Sequence, residues 1–167
     1  MKIKVDIIKQ ALIWQNCKKI NSSYIKKIVK TTLSHPVFTR FQSVQQVKIV
    51  ILLTNDREIQ SLNFNHRGVN KPTNVLSFPD QVIDWRNLST LEIKSNSIYL
   101  GDIAFGYETI LLESKEQKKS FVNHFSHLLI HAILHLLGFD HQYENEAIIM
   151  EKLEISLLAQ FSIASPY

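Results

Sequence analysis

Little in this chain could hold it together covalently or anchor it in a membrane. Cys17 is the single cysteine among 167 residues, so no intramolecular disulfide can form, which predicts a reducing compartment. The N-terminal residues alternate charged and apolar side chains without an apolar run of signal-peptide length. Residues 121–139 form the most apolar window, but Asn123, Ser126 and four histidines interrupt it. That window predicts a buried helix rather than a membrane span, and we expect a cytoplasmic protein.

Composition and net charge exclude few functions. Hydrophobic residues make up 45% and charged residues 20% of the chain, as in ordinary globular proteins. The chain lacks internal repeats, low-complexity runs and linkers, so we expect one domain over residues 1–167. A formal net charge of +4 and a sequence pI near 9.1 permit an anionic partner such as RNA, although a solvated surface explains mild basicity equally well.

The strongest chemical signal is the stretch 131–141, which reads His-Ala-Ile-Leu-His-Leu-Leu-Gly-Phe-Asp-His. His131 and His135 are four residues apart, so on an α-helix they lie one turn apart on the same face. Gly138 follows where a helix could end, because glycine adopts the left-handed conformation at little steric cost. The chain can then fold back and bring His141 to the same point.

Three imidazoles around one point describe a zinc site whose fourth position is open to water. An open position is typical of a catalytic zinc rather than a structural one. Bound zinc lowers the pKa of its water to about 7 and so supplies hydroxide at neutral pH. The alternative is that core or surface histidines happen to have this spacing. The glycine and the third histidine favour the metal site.

Hydrophobic periodicity predicts alternating strands and helices around this stretch. Strands are predicted at residues 2–8, 46–53, 75–79 and 98–105, with Gly101 as a bulge or a point of close approach. Helices are predicted from Ser22 or Ser23 to about Leu33, from residue 55 to near 65, over 107–116 and 121–137, and from residue 144 onward. Residues 80–97 are irregular and polar, and either an insertion loop or a hairpin fits them. The helix over 121–137 is apolar almost all round, so we expect it to be the buried central helix that carries the histidines.

Three motifs in order resemble those of one known family. The stretch 131–141 matches the pattern H-G-x-L-H-L-x-G-(Y/F)-D-H of the YbeY family of bacterial endoribonucleases and ribosomal-RNA maturation factors, with Ala132 where the family usually has glycine. Residues 62–78 match the family pattern L-N-x-x-(Y/F)-R-x-x-x-x-P-T-(D/N)-V-L-S-F, with His66 in place of the aromatic residue. The third motif is Leu100-Gly101-Asp102-Ile103.

The resemblance runs from about residue 45 to residue 155 and implies both fold and activity. It implies an α+β fold, with a small mixed β-sheet of about four strands packed with helices. It also implies a zinc-dependent, single-strand endoribonuclease acting in 3′ end maturation of small-subunit (16S-type) ribosomal RNA and in ribosome quality control, with one zinc ion per chain. Family members are linked to the small ribosomal subunit, to a small-subunit ribosomal protein and to the Era GTPase. No membrane partner is expected, because the most apolar window predicts a buried helix.

The resemblance also implies residue roles. Zinc held by His131, His135 and His141 would activate the water that attacks the phosphodiester, so His131 is grouped with Arg67 as catalytic. Arg67 is the candidate phosphate clamp, because a guanidinium fork matches phosphate oxygens. Otherwise Arg67 is a surface or structural arginine.

Three further residues are predicted to support the metal ligands through hydrogen bonds. Asp140 is expected to orient His141 or to cap the following helix. Asp102, at a strand end, either hydrogen-bonds a ligand histidine or faces solvent. His127 lies one turn before His131 on the same face, and it either enters the cleft or packs as a hydrogen-bonded histidine.

Two other functions stay open at this point. The spacing H-x3-H-x2-G-x2-H is also that of metzincin proteases, which carry a glutamate as general base directly after the first histidine. Ala132 occupies that position and cannot move a proton, so the sequence argues against a peptidase. The other function is a non-catalytic ribosome-assembly factor with a structural metal, which three ligands without an evident fourth disfavour.

Overall fold

The computed structural model describes residues 2–42, 44–90, 96–141 and 143–167. The strands are β1 (Lys2–Lys9), β2 (Gln46–Thr54), β3 (Val75–Pro79) and β4 (Ser97–Gly106). The α-helices are α1 (Ser22–Leu33), α2 (Thr39–Gln42), α3 (Asp56–Arg67), α4 (Tyr107–Glu116), α5 (Phe121–Leu136) and α6 (Glu144–Ala159). Short 3₁₀ turns are found at Leu12–Asn16, Pro36–Phe38 and Trp85–Thr90. None of the described helices combines the length and the apolarity needed to cross a membrane.

The four strands form one mixed sheet in the order β1-β2-β4-β3, which confirms the predicted α+β fold. β1 and β4 both pair with β2 in parallel, and β3 pairs with β4 in antiparallel orientation. β2 is an inner strand, as its continuously apolar sequence predicts. β3 is an edge strand, and Pro79 is its last residue, where a missing N–H donor is tolerated.

Gly101 is the point of close approach that the sequence predicts in β4. The register between β2 and β4 shifts there, so that Tyr99 pairs with Lys48 and Gly101 pairs with the next residue of β2. Gly101 has a φ of +130°, and a Cβ atom on it would lie 2.1 Å from the carbonyl oxygen of Phe78 in β3. Only glycine allows the two strands to approach this closely.

Two helix boundaries differ from those that the sequence predicts. α1 is capped by Asn21 rather than by a serine, because the Asn21 side chain accepts a hydrogen bond from the backbone N–H of Tyr24. α3 continues beyond Asn65 to Arg67 and ends at Gly68, which has a φ of +70°. The polar residues at the end of α3 face solvent and do not interrupt the helix. Arg67 therefore projects from the last turn of a helix rather than from a loop.

The helix α5 is the buried central helix, as predicted. Ser120 caps it by accepting a hydrogen bond from the N–H of Asn123, and α1, α4, α6 and the sheet pack around it. Its buried apolar residues include Leu129, Ile130 and Ile133. Removing each such side chain from water contributes about 2 kcal/mol, so burial of α5 is a major term in the stability of the fold.

The helix α6 covers one side of α5 with a face that the sequence predicts only in part. The apolar spacing predicts a core face made of Ile149, Met150, Leu153, Leu157 and Phe161. Met150, Leu153 and Leu157 are buried as predicted, but Ile149 is 41% exposed. Glu154 is fully buried on the face that packs against α5. Apolar residues occur all around α6, so the sequence pattern could not define its rotation.

The segment that follows β3 packs against the end of α5. Its described part, residues 80–90, is a loop with a 3₁₀ turn, and the Trp85 ring stacks on Phe139 with ring centroids 4.5 Å apart. Ile83 and Leu88 are buried within it. Residues 91–95 of the predicted insertion or hairpin lie outside the described residues.

Trp14, in the turn after β1, packs against the start of α5. Its ring is fully buried, its indole N–H donates to the carbonyl oxygen of Thr54 at 2.8 Å, and it contacts Phe121 and Phe125 with ring centroids 5.8 and 5.6 Å away. This contact links the C-terminal end of β2 to the helix that carries the histidines.

We expect the substitution Trp14→Phe to lower the free energy of unfolding by about 2 kcal/mol, because it leaves a cavity and removes the donor to Thr54. Urea denaturation followed by circular dichroism would measure the loss. Leu12→Ala in the same 3₁₀ turn is the matched control, since Leu12 is 75% exposed and should cost no more than about 0.5 kcal/mol. Equal losses in the two variants would contradict the anchoring role of Trp14.

Candidate metal centre and active site

The end of α5 is a tight turn that returns the chain toward its own last two turns. The N–H of Phe139 donates to the carbonyl of Leu134, and the N–H of Gly138 donates to the carbonyl of His135, both at 3.0 Å. These two bonds are those of a Schellman motif, with Gly138 in the left-handed conformation at a φ of +87°. The predicted glycine stop is therefore confirmed, and it directs the chain to His141.

The three histidines of the motif converge as their spacing predicts. The ring centroids of His131 and His135 are 4.5 Å apart, those of His135 and His141 are 5.1 Å apart, and those of His131 and His141 are 5.6 Å apart. One nitrogen from each ring lies within 4.8 Å of the other two. The three side chains could therefore hold one metal ion.

Hydrogen-bond partners determine which ring nitrogens of His131 and His135 carry protons. Nδ1 of His131 lies 2.8 Å from a Glu154 carboxylate oxygen, and Nδ1 of His135 lies 3.0 Å from the carbonyl oxygen of Phe139. Both oxygens are acceptors, so each Nδ1 carries a proton, and in the neutral state each ring presents a lone pair at Nε2. The two Nε2 atoms are 3.0 Å apart and cannot hydrogen-bond to each other in that state. Two nitrogen ligands on one tetrahedral zinc ion lie roughly 3.4 Å apart, so this arrangement fits a shared cation.

His135 is held in the neutral form that a metal ligand requires. Burial lowers its pKa, and the neighbouring His131 and His141 lower it further, to about 4. A neutral imidazole can donate its Nε2 lone pair at pH 7 without first losing a proton.

Asp140 contacts the backbone of His141, and the orienting role that the sequence predicts for it stays a prediction. Its carboxylate accepts a hydrogen bond from the backbone N–H of His141 at 2.7 Å. The alternative role as a helix cap is wrong, because the N-cap of α6 is Tyr143 and no side chain caps it. Asp140 and His141 both line the cleft.

Glu154 is the residue that sequence reasoning missed. Its two carboxylate oxygens accept hydrogen bonds from His127 and His131, each at 2.8 Å, and the hydroxyl of Tyr167 also donates to it. Burial alone would raise the pKa of Glu154, but these three hydrogen bonds outweigh it and lower the pKa to about 2. Glu154 lies at helical spacing from Met150, Leu157 and Leu158, all of which are buried. An acidic residue at such a core position is the sequence pattern that could have identified Glu154.

His127 is packed and hydrogen-bonded, which is the second of the two outcomes that the sequence allows for it. Its Nε2 faces Glu154, and its side chain is 15% exposed. One turn earlier, His124 makes a parallel contact, because its Nε2 lies 2.7 Å from a carboxylate oxygen of Glu113 in α4. α5 therefore presents a row of histidines. His124 contacts a carboxylate of α4, and His127 and His131 contact a carboxylate of α6.

The predicted hydrogen bond from Asp102 to a ligand histidine is wrong. Asp102 points to the solvent-facing side of β4, and its carboxylate accepts a hydrogen bond from the hydroxyl of Tyr99. α5 packs against the opposite face of the sheet, and successive side chains of a strand alternate between faces. Asp102 thus takes the solvent-facing alternative.

A cleft of about 710 Å³ opens in front of the histidines. The three histidines, Asp140 and Gly138 form one side of it, β3 forms the facing side, and Arg67 lies at its edge. The fold thus brings Arg67 and the three histidines to one cavity, although they lie at least 64 residues apart in sequence. Among the described residues, the Arg67 guanidinium has neither an ion pair nor a hydrogen bond, so it is available to an anionic ligand.

Two departures from the motif patterns are accommodated by packing. Ala132 is fully buried, and its carbonyl accepts a hydrogen bond from the Ser77 hydroxyl of β3 at 3.3 Å. The side chain at this position faces the core rather than the cleft, so no general base is present there. His66 packs its ring on Phe78 with centroids 4.7 Å apart, as an aromatic residue would.

Comparisons with known proteins agree with the motifs. A model of the endoribonuclease YbeY family matches residues 12–162 of this chain. The endoribonuclease YbeY of Bradyrhizobium diazoefficiens is 42% identical over 128 residues, which make up 75% of this chain and 67% of that protein. The solution structure of TM1509 from Thermotoga maritima aligns with a TM-score of 0.54 and 20% identity, covering 95% of this chain and 91% of the other. At that identity the structural likeness shows the fold alone.

We expect Gly138→Ala to lower the free energy of unfolding by about 3 kcal/mol and to displace His141. A Cβ atom at this position would lie 1.7 Å from the carbonyl oxygen of Ile83, in addition to the strain of a positive φ. Gly68→Ala is the matched control, because Gly68 also follows a helix with a positive φ but has nothing within 4 Å of an added Cβ. Its cost should be about 1 kcal/mol, and similar urea denaturation curves for the two variants would contradict the steric argument.

Proposed function

This chain belongs to the endoribonuclease YbeY family, and we propose that it cleaves single-stranded ribosomal RNA with the help of one zinc ion held by His131, His135 and His141. As a member of this family it is an endoribonuclease, a hydrolase that acts on phosphodiester bonds. The identity of the metal, the residue roles and the substrate are parts of the proposal.

One observation carries the metal-dependent mechanism. The Nε2 lone pairs of His131 and His135 face each other at 3.0 Å, while both Nδ1 atoms are occupied by acceptors. When both rings are neutral the two lone pairs repel, and a cation shared by the two nitrogens would remove that repulsion. The His141 ring adjoins both, so a third nitrogen donor is at hand.

The donor set supports zinc over the harder divalent cations. Three neutral imidazoles suit zinc, whereas magnesium and calcium prefer carboxylate and carbonyl oxygens. When bound, a zinc ion would supply positive charge and a water molecule of lowered pKa at the cleft. Asp140, the one carboxylate among the described residues that line the cleft, is occupied in part by the backbone of His141.

Arg67 supplies the second requirement of the reaction, which is charge stabilisation on the phosphate. In the transition state negative charge develops on the phosphoryl oxygens, and a guanidinium can contact two of them at once. Arg67 borders the same cavity as the three histidines, and no acidic side chain among the described residues neutralises it. We therefore assign Arg67 to the phosphate and the histidines to the metal.

The family membership and the charge of the chain together suggest the substrate. A net charge of +4 favours an RNA strand, and the proposal is 3′ end maturation of small-subunit ribosomal RNA together with ribosome quality control. Proposed partners are the small ribosomal subunit, one of its proteins and the Era GTPase. Such a substrate implies action in the cytoplasm. We also propose that residues 1–167 act as a single domain, since the four strands belong to one sheet.

We expect about one zinc ion per chain in the purified protein and a loss of most of it in His135→Ala. His135 contributes one of the two facing Nε2 atoms, so its removal leaves two ligands. Elemental analysis of protein purified without chelator measures the metal content. A protein that holds no metal, and takes up none when zinc is added, would refute the hydrolase mechanism and favour a non-catalytic ribosome-assembly factor.

We expect Arg67→Ala to lower the rate of cleavage of single-stranded RNA by about 100- to 1,000-fold while leaving zinc content and ribosome association unchanged. Arg67→Lys should restore little, because an ammonium group cannot contact two phosphate oxygens in the same way. Arg57→Ala is the matched control, since Arg57 is exposed in the first turn of the same helix and does not line the cleft. Cleavage that persists in Arg67→Ala would contradict the assigned role.

A further inference from the structure

Glu154 is a fully buried carboxylate that faces the back of a proposed metal ligand. One oxygen accepts the Nδ1 hydrogen bond of His131, and the other accepts those of His127 and Tyr167. Nδ1 of His127 is buried without a hydrogen-bond partner among the described residues, which fits a ring whose single proton is on Nε2 and points at the carboxylate. All three donors thus converge on Glu154.

No lysine or arginine among the described residues forms an ion pair with Glu154. Its ion-pair partners among the described residues are the imidazoles of His127 and His131. Lys119, which contacts the C-terminal tail, donates to Gln117 and to the carbonyl of Pro166. Burying a carboxylate without a cation is costly. A buried carboxylate that accepts a hydrogen bond from one nitrogen of an imidazole favours a positive charge, such as a metal ion, at the other nitrogen of that ring.

We propose that Glu154 is a positioning residue for the metal: it fixes the tautomer and the orientation of His131, and its negative charge strengthens the Nε2 of His131 as a ligand. This inference rests on the proposed function, because it requires a metal at His131, His135 and His141. A carboxylate behind a ligand histidine holds the ring in place and raises its basicity. The contact is made across two helices, since His131 belongs to α5 and Glu154 to α6.

The same helix offers an internal comparison. His124, two turns before His131, contacts the carboxylate of Glu113 at 2.7 Å, but His124 is not one of the three converging rings. Glu113 belongs to α4 and also accepts hydrogen bonds from the Asn74 amide. Removing this carboxylate should alter the histidine row without altering the metal.

The test compares the dissociation constant for Zn²⁺ in four proteins: the wild type, Glu154→Gln, Glu154→Asp and Glu113→Gln. Competition with a chromophoric chelator measures it on the full chain. Glu154→Gln keeps the shape of the side chain and an oxygen that accepts from Nδ1 of His131, but it removes the charge. We expect the dissociation constant to rise 10- to 100-fold in Glu154→Gln and to stay unchanged in Glu113→Gln.

Glu154→Asp tests whether zinc binding depends on the negative charge at position 154 or on the volume of the side chain there. Aspartate keeps the charge but fills the site less well, whereas glutamine fills the site and lacks the charge. Our inference predicts tighter zinc binding by Glu154→Asp than by Glu154→Gln, while a purely structural role predicts the reverse order. Circular dichroism of each variant, with and without Zn²⁺, shows that it is folded, and the Nδ1 proton resonance of His131 should move in Glu154→Gln.

The outcomes distinguish this inference from the proposed function. A wild-type protein that binds no Zn²⁺ would overturn the proposed function and the inference with it. Zinc binding by the wild type with an unchanged dissociation constant in Glu154→Gln would overturn the inference alone. Equal weakening in Glu154→Gln and Glu113→Gln would also overturn it, because the effect would then be a general one on α5.

Discussion

The structure depends on the hydrogen bonds that satisfy the histidines of the buried helix α5. α5 is surrounded by α1, α4, α6 and the sheet, and its apolar residues form the centre of the core. A polar side chain in such a place costs about 1–3 kcal/mol when its hydrogen bonds are not made. The fold meets this requirement with acceptors from three other places: Glu113 in α4, Glu154 in α6 and the carbonyl of Phe139 in the turn after α5. These partners determine which ring nitrogens carry protons.

Once the protons are assigned, the geometry of the cleft follows from the same contacts. The acceptors are all behind the rings of His131 and His135, so the lone pairs point forward into the cleft. The turn at Gly138 adds His141 from the front, and the absence of a side chain on Gly138 lets Ile83 of the segment after β3 pack closely against the turn. The two sides of the cleft are therefore coupled: the segment that follows β3 supports the turn that positions the third histidine.

The sheet contributes mainly by placing Arg67. β3 is the edge strand that faces α5, and the chain that leads into it comes from the end of α3. This connection brings a guanidinium without an ion pair among the described residues to a cavity lined by three imidazoles. A positive group on one side and three histidines that could hold a metal ion on the other form an arrangement suited to a phosphodiester, whose oxygens carry negative charge.

The sequence by itself determined the features that depend on residues close together in the chain. The i, i+4 histidines, the glycine stop, the serine cap of α5 and the four strands were all predictable, because helix geometry, left-handed backbone and strand alternation are local properties. Only the tertiary structure decided that Glu154 lies behind His131, that Ile149 faces solvent and that Asp102 points away from the histidines. The rotation of α6 about its axis and the choice of sheet face that α5 covers are set by the sum of many packing contacts between distant segments, and α6 is apolar on too many sides for its sequence to define that rotation.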